Sequence, residues 1–129
     1  MNKIQRFEDI LAWQKARVLT KDIYASTSVG RFARDFGLKD QIQRASVSTM
    51  SNIAEGFERG GDKEFRQFLS NSKGSCGEVK SQLYVALDQE YITPVAFDKL
   101  YATADEVGRL VFGFMTYLGK SELRGRKYQ

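Results

Sequence analysis

Arg66, Lys73 and Lys80 recur every seven residues, an interval that returns to one face of an α-helix after two turns. As a helical stripe they span roughly 21 Å. That length can follow several phosphates, each neutralised phosphate releasing counterions. The competing reading is a solvated face, which helices carry routinely; in a ring of subunits the stripe is multiplied and its field counts for more. A second basic set, Arg124, Arg126 and Lys127, adjoins Tyr128. Charge beside an aromatic ring suits RNA or DNA, with the ring stacking on a base. Its competing reading is a solubilising end.

Catalytic chemistry has weaker candidates. Cys76 beside Ser75 offers a thiol, but the chain has no histidine. That removes the commonest general base and the commonest zinc ligand together. A small free cysteine on an apolar seam reads better as a packed residue. Asn52 and Glu55 lie in Ser51-Asn52-Ile53-Ala54-Glu55-Gly56. A buried carboxylate there suits acid–base work, although such groups more often cap or cross-link helices by hydrogen bonds. Glu55, Glu58 and Glu64 lack the Glu-x-x-His partners of bundle metal sites. No P-loop, dinucleotide fingerprint or zinc motif occurs. We therefore expect a non-enzymatic protein with no catalytic residue, no metal and no cofactor.

The elements that must position these residues are helical. The chain has 129 residues, 42% hydrophobic and 28% charged, which suits one folded domain. Its net charge is +4. The last eleven residues carry +3 of it, so the remainder is nearly neutral and the basic character is mostly a tail. No apolar run approaches the roughly 20 residues of a membrane span. The charged N-terminal segment shows no signal peptide, and a single cysteine suits a reducing, cytoplasmic setting.

Apolar residues recur at intervals of three and four, predicting helices over about 8–27, 38–57, 62–90 and 94–118. In the first, Ala12, Ala16, Leu19 and Ile23 form a stripe widened by Leu11, Trp13, Val18 and Tyr24, with Glu8 and Asp9 at its positive end. Phe32 and Phe36 in the following loop suit a hydrophobic lid. The second is rich in small residues from Ala45 to Ser51, which permits close helix approach, and Gly56, Gly60 and Gly61 close it. In the third, capped by Asp62, Phe65, Leu69, Ser72, Cys76, Val79, Leu83 and Ala86 make a heptad seam. Gly74 and Gly77 cost that helix about 1 kcal/mol each against alanine, with close packing against a neighbour as the expected compensation. Thr93 and Pro94 start the fourth, whose seam runs Phe97, Leu100, Ala104, Val107, Val111, Phe114 and Leu118 to a stop at Gly119. Tyr101, Leu110, Phe112, Met115 and Tyr117 give it a second apolar face, expected to be a subunit interface. Residues 1–118 thus read as an all-α, antiparallel up-down-up-down four-helix bundle, and 119–129 as a basic, mobile tail.

The segments Phe7-Glu8-Asp9-Ile10, Trp13-Gln14-Lys15-Ala16, Gln41-Ile42-Gln43-Arg44-Ala45 and Ser51-Asn52-Ile53-Ala54-Glu55-Gly56 resemble a known family. So do Phe65, Phe68-Leu69, Gly74-Ser75, Glu78, Gln82-Leu83 and Tyr91-Ile92, in consistent order over about 6–118. The family is that of the four-helix bundle proteins first noticed as products of intervening sequences within bacterial 23S ribosomal RNA genes. The Ser-Asn-Ile-Ala-Glu-Gly core is its most specific mark.

The resemblance implies an antiparallel bundle assembled as a ring-shaped homopentamer. It also implies kinship with the accessory proteins of diversity-generating retroelements, barrel-like pentamers that bind nucleic acid and a reverse transcriptase. Nucleic-acid binding is therefore the expected function. An adaptor gripping a partner protein is one alternative, and a passenger protein of the intervening sequence without a nucleic-acid role is another. Trp13, Arg44, Ser51, Asn52, Glu55 and Gly56 are expected to be structural, Arg44 through an ion pair. Thr49-Met50 stands where the family commonly has isoleucine-proline, giving the second helix less reason to bend. Gly77 replaces what is often a larger residue.

Overall fold

Helical spacing and end signals together produce four helices: α1 (Leu11–Ser26), α2 (Phe36–Arg59), α3 (Asp62–Asp88) and α4 (Pro94–Tyr128). The computed structural model describes residues 4–128, with side chains described through Lys120. α1 packs on α2 and α4, and α3 packs on the same two. With connections this short, that neighbour pattern is an up-down-up-down bundle. No strand occurs among the described residues.

The seams form the core. All seven α3 seam residues are buried, Cys76 among them. Ala12, Ala16, Leu19 and Ile23 of α1 meet them, as do Ile42, Ala45 and Ile53 of α2 and Ala104, Val107 and Val111 of α4. Leu11, Val18 and Tyr24, expected to widen the α1 stripe, are exposed. They fall outside the arc that a sixteen-residue helix can turn toward two neighbours.

Small residues do bring α2 close to its neighbours. Ser46, Thr49 and Ser72 are fully buried, and hydroxyls satisfy the chain there. Ser72 Oγ donates to the Thr49 carbonyl at 2.6 Å, Thr20 Oγ1 to that of Ser46 at 3.1 Å. Ser48 and Ser75 share a hydrogen bond of 2.8 Å. Gly56 lies inside α2 and does not close it: a Cβ there would stand 2.7 Å from Phe68 Cβ and 2.8 Å from Phe65 Cδ1. The close is made by Gly60, left-handed at φ 88°.

The remaining ends have local causes. α1 begins later than expected because Phe7–Asp9 form a 3-10 turn and Ile10 is extended. The Asp9 carboxylate accepts the N–H groups of Gln5 and Arg6 at 3.0 and 3.2 Å. α2 begins earlier because Asp35 caps it, accepting the Leu38 N–H at 3.1 Å. Gly61 holds the cap position of α3, which puts Asp62 one residue past it, in the first turn. α3 ends at Asp88 in a Schellman closure, the Tyr91 N–H donating to Ala86 at 2.9 Å with Glu90 left-handed at φ 58°. Thr93 caps α4 by accepting the Ala96 N–H at 3.1 Å. Gly119 lies inside α4, not at its end.

Phe32 is the expected lid: buried, it stacks on Tyr91 at 5.3 Å. Phe36 is not, being 75% exposed as the first residue of α2.

Candidate functional site

The α3 basic stripe runs along α4, with Lys73 exposed and Arg66 and Lys80 partly buried. Its seven-residue period keeps it on the edge of α3 beside α4, and each cation meets that helix. The Arg66 guanidinium lies 3.6 Å from where a Cβ on Gly119 would stand. Lys73 Nζ stands 5.8 Å from the Phe112 ring centre. Lys80 Nζ donates to Asp105 Oδ1 at 3.0 Å and stands 5.0 Å from the Tyr101 ring centre. The stripe is one wall of a groove.

That groove has a volume of about 470 Å³. Lys73, Gly77 and Lys80 come from α3, and Asp105, Gly108, Arg109, Phe112 and Gly113 from α4, with Cys76 beneath. Three cations face one carboxylate. Asp105 holds two of them, since its other oxygen lies 3.2 Å from Arg109 Nε. The hydrogen bond from Lys80 keeps the Asp105 carboxyl below its ordinary range, and the same bond raises Lys80. Aromatic surface flanks the charges: Phe112 is 56% exposed, and half-exposed Tyr84 packs on Phe97 and Tyr101 at 4.9 and 5.7 Å. A cationic track on one helix thus runs beside aromatic rings on the next, the combination that single-strand binders use.

Cys76 is 1% exposed and donates its thiol to the Ala104 carbonyl at 3.0 Å. Burial pushes its pKa from 9.0 up to about 11. A thiol so protonated is a poor nucleophile. Gly74 and Gly77 do not find the expected close neighbour, for a Cβ on either would meet nothing within 4 Å.

The other sequence candidates lie elsewhere. Trp13 packs edge-on against Phe7 at 5.1 Å with Arg17 at 5.8 Å from its ring centre. Arg44 is exposed and pairs with Asp40 at 2.9 Å. It lines a polar α2–α3 groove of about 420 Å³ with Gln41, Ser48, Ser75, Glu78 and Gln82. Ser51 is exposed, and Asn52 donates to the Ser48 carbonyl at 2.8 Å. Glu55 is not a buried carboxylate: it is half-exposed and pairs with Arg59 at 3.1 Å. Arg59 also reaches Glu64 of α3 at 3.7 Å. Arg124, Arg126 and Lys127, with the expected mobile tail, lie outside the residues whose side chains are described.

Sequence reasoning missed Arg109 and the facing of Tyr101 and Phe112 onto the stripe. The available signal was the off-seam aromatics of α4, which read as one apolar face. Phe112 and Tyr117, five residues apart, stand roughly 140° apart around the helix, so they do not form one. Tyr101, Leu110 and Met115 pack against the core.

Among the described residues no His, Cys, Asp and Glu grouping could hold a metal, and no helix is long and apolar enough to cross a membrane. Residues 8–113 match the family described as 23S rRNA-intervening sequence protein. No curated protein matches the sequence. Among solved structures, a crystal structure of a protein with unknown function from the S23 ribosomal protein family of Bacteroides thetaiotaomicron is similar, at 19% identity and a TM-score of 0.74. The match covers 81% of this chain and 98% of that one. At that identity the likeness establishes the fold.

Proposed function

Because the chain belongs to the 23S rRNA-intervening sequence protein family, we propose that it is a non-enzymatic scaffold that assembles with copies of itself and holds nucleic acid in the α3–α4 groove. The carrying observation is the convergence in one groove of Lys73 and Lys80 from α3 with Arg109 and the exposed Phe112 from α4, Lys73 standing by the Phe112 ring. Cations bind the backbone and set the salt dependence; aromatic faces accept bases of any sequence. Arg66 extends the track along α3, and Arg124, Arg126 and Lys127 add positive charge to the chain beyond it. Assembly as a pentamer, which the family resemblance supports, repeats the groove around a ring. Exposed Leu11 and Val18, one turn to either side of the Lys15–Glu106 ion pair of 3.7 Å, offer apolar surface for it on the opposite flank of α4.

Fluorescence anisotropy with labelled structured RNA and duplex DNA tests the reading, alongside a native mass. The expected result is binding that weakens with salt yet persists at physiological salt, on an oligomer. Absence of binding at tens of micromolar overturns the nucleic-acid role, and a monomeric mass overturns the assembly.

A protein adaptor is the second reading. The polar α2–α3 groove favours it, because Gln41, Arg44, Ser75, Glu78 and Gln82, all within the segments resembling the family, converge there. Partner-protein binding lost in Arg44→Glu supports it.

A further inference from the structure

We propose that the α3–α4 groove takes a single strand in particular: one unstacked base lies in the trench between Gly77 and Gly108, against the Phe112 ring, with its phosphates between Lys73 and Arg109. This rests on the nucleic-acid reading above and names the class of nucleic acid.

The trench is made by missing side chains. Gly77 is exposed in the middle of the twenty-seven-residue α3, and Gly113 is exposed in α4. An added Cβ on either meets nothing within 4 Å. On Gly108 it meets only Cys76 Sγ, at an ordinary 3.9 Å. Packing of this chain therefore demands glycine at none of the three, although each glycine lowers helix stability by about 1 kcal/mol against alanine. Alanine would instead raise the floor of the groove.

The walls of the groove have the chemistry of a nucleotide site. Phe112 is 56% exposed and so presents ring surface to the trench. The three cations lining the groove outnumber its single carboxylate, which favours an anionic occupant. A groove of about 470 Å³ has the size of a small-ligand site. It admits a base with its sugar and excludes a stacked duplex, whose bases are turned inward.

The test compares a labelled thymidine homopolymer, the same strand carrying abasic sites, and a duplex of equal length, by anisotropy on the full chain. Wild type should bind the intact strand about tenfold more tightly than the abasic one. Gly77→Ala/Gly113→Ala should melt no lower than wild type and keep its native mass. Its affinity for the intact strand should nevertheless fall to the abasic level, with duplex affinity unchanged. Phe112→Leu, which keeps the apolar volume, should do the same. Equal binding of intact and abasic strands, or an undiminished alanine variant, overturns the trench and leaves a charge-driven groove standing. Absence of binding to all three overturns both readings. A changed native mass in the alanine variant marks the trench as a subunit contact and also overturns the inference.

Discussion

Lys80 of α3 donates to Asp105 of α4 at 3.0 Å while its ammonium stands over the Tyr101 ring. The last cation of the stripe is therefore already partnered within the chain. Asp105 also holds Arg109 at 3.2 Å, so one carboxylate restrains two of the three cations that line the groove. The charge open to an anion depends on Asp105 more than on the number of lysines.

Asp105→Asn should for that reason tighten nucleic-acid binding several-fold. The slope of log affinity against log salt should steepen by roughly 0.7–0.9 for each cation released to a phosphate. Folding should change little, because the pairs are solvent-accessible. Salt-titrated anisotropy and urea unfolding of the same variant check both statements. Unchanged affinity would separate these cations from the ligand.

The seams were legible in the sequence because burial follows the heptad period. Every α3 seam residue is buried, and Thr93 with Pro94 does begin α4. Glycine was the least legible residue. Gly56, read as a helix end, is a close-approach residue under Phe65 and Phe68; Gly74 and Gly77, read as close-approach residues, lie in open space. Nothing local distinguishes the two cases, since both depend on what crosses from another helix. The groove was half legible for the same reason. Its cations are periodic along one helix, whereas the pairing of Lys80 with Asp105, twenty-five residues apart, exists only once α3 and α4 are packed.

Gly56→Ala should destabilise the bundle by about 1–3 kcal/mol, the range of overpacking a core. Its new methyl would meet Phe68 Cβ at 2.7 Å, and a Cβ cannot swing away. The midpoint in urea should fall at constant slope. A midpoint equal to wild type would show that α2 and α3 separate at little cost.

Cys76 should resist thiol reagents in the folded protein and react once the chain is unfolded. Its pKa is raised from 9.0 to about 11 by burial. Between those values the unfolded chain sheds the thiol proton and the folded chain keeps it, so stability falls as pH rises through the window. Urea unfolding below, within and above the window should show a steeper decline in wild type than in Cys76→Ala. Parallel declines would mean that the thiol ionises equally in both states.

Tyr91 closes the loop end of the bundle by donating to Asp35 at 2.9 Å and stacking on Phe32. Tyr91→Phe keeps the stack and loses the hydrogen bond. It should lower the denaturation midpoint slightly. Tyr91→Ala should cost more, by exposing the buried Phe32 ring. Equal losses would assign the closure to the hydrogen bond alone.

The most direct test of the groove as the nucleic-acid interface is the salt dependence of binding in two full-length variants. One is Lys73→Gln/Arg109→Gln; the other is Arg124→Gln/Arg126→Gln/Lys127→Gln. The groove variant should flatten the log–log slope by roughly 1.4–1.8, two phosphate contacts, and the tail variant should keep most of its affinity at physiological salt. A wild-type slope in the groove variant, with binding lost in the tail variant, would contradict the account and place the interface on the C-terminal cations.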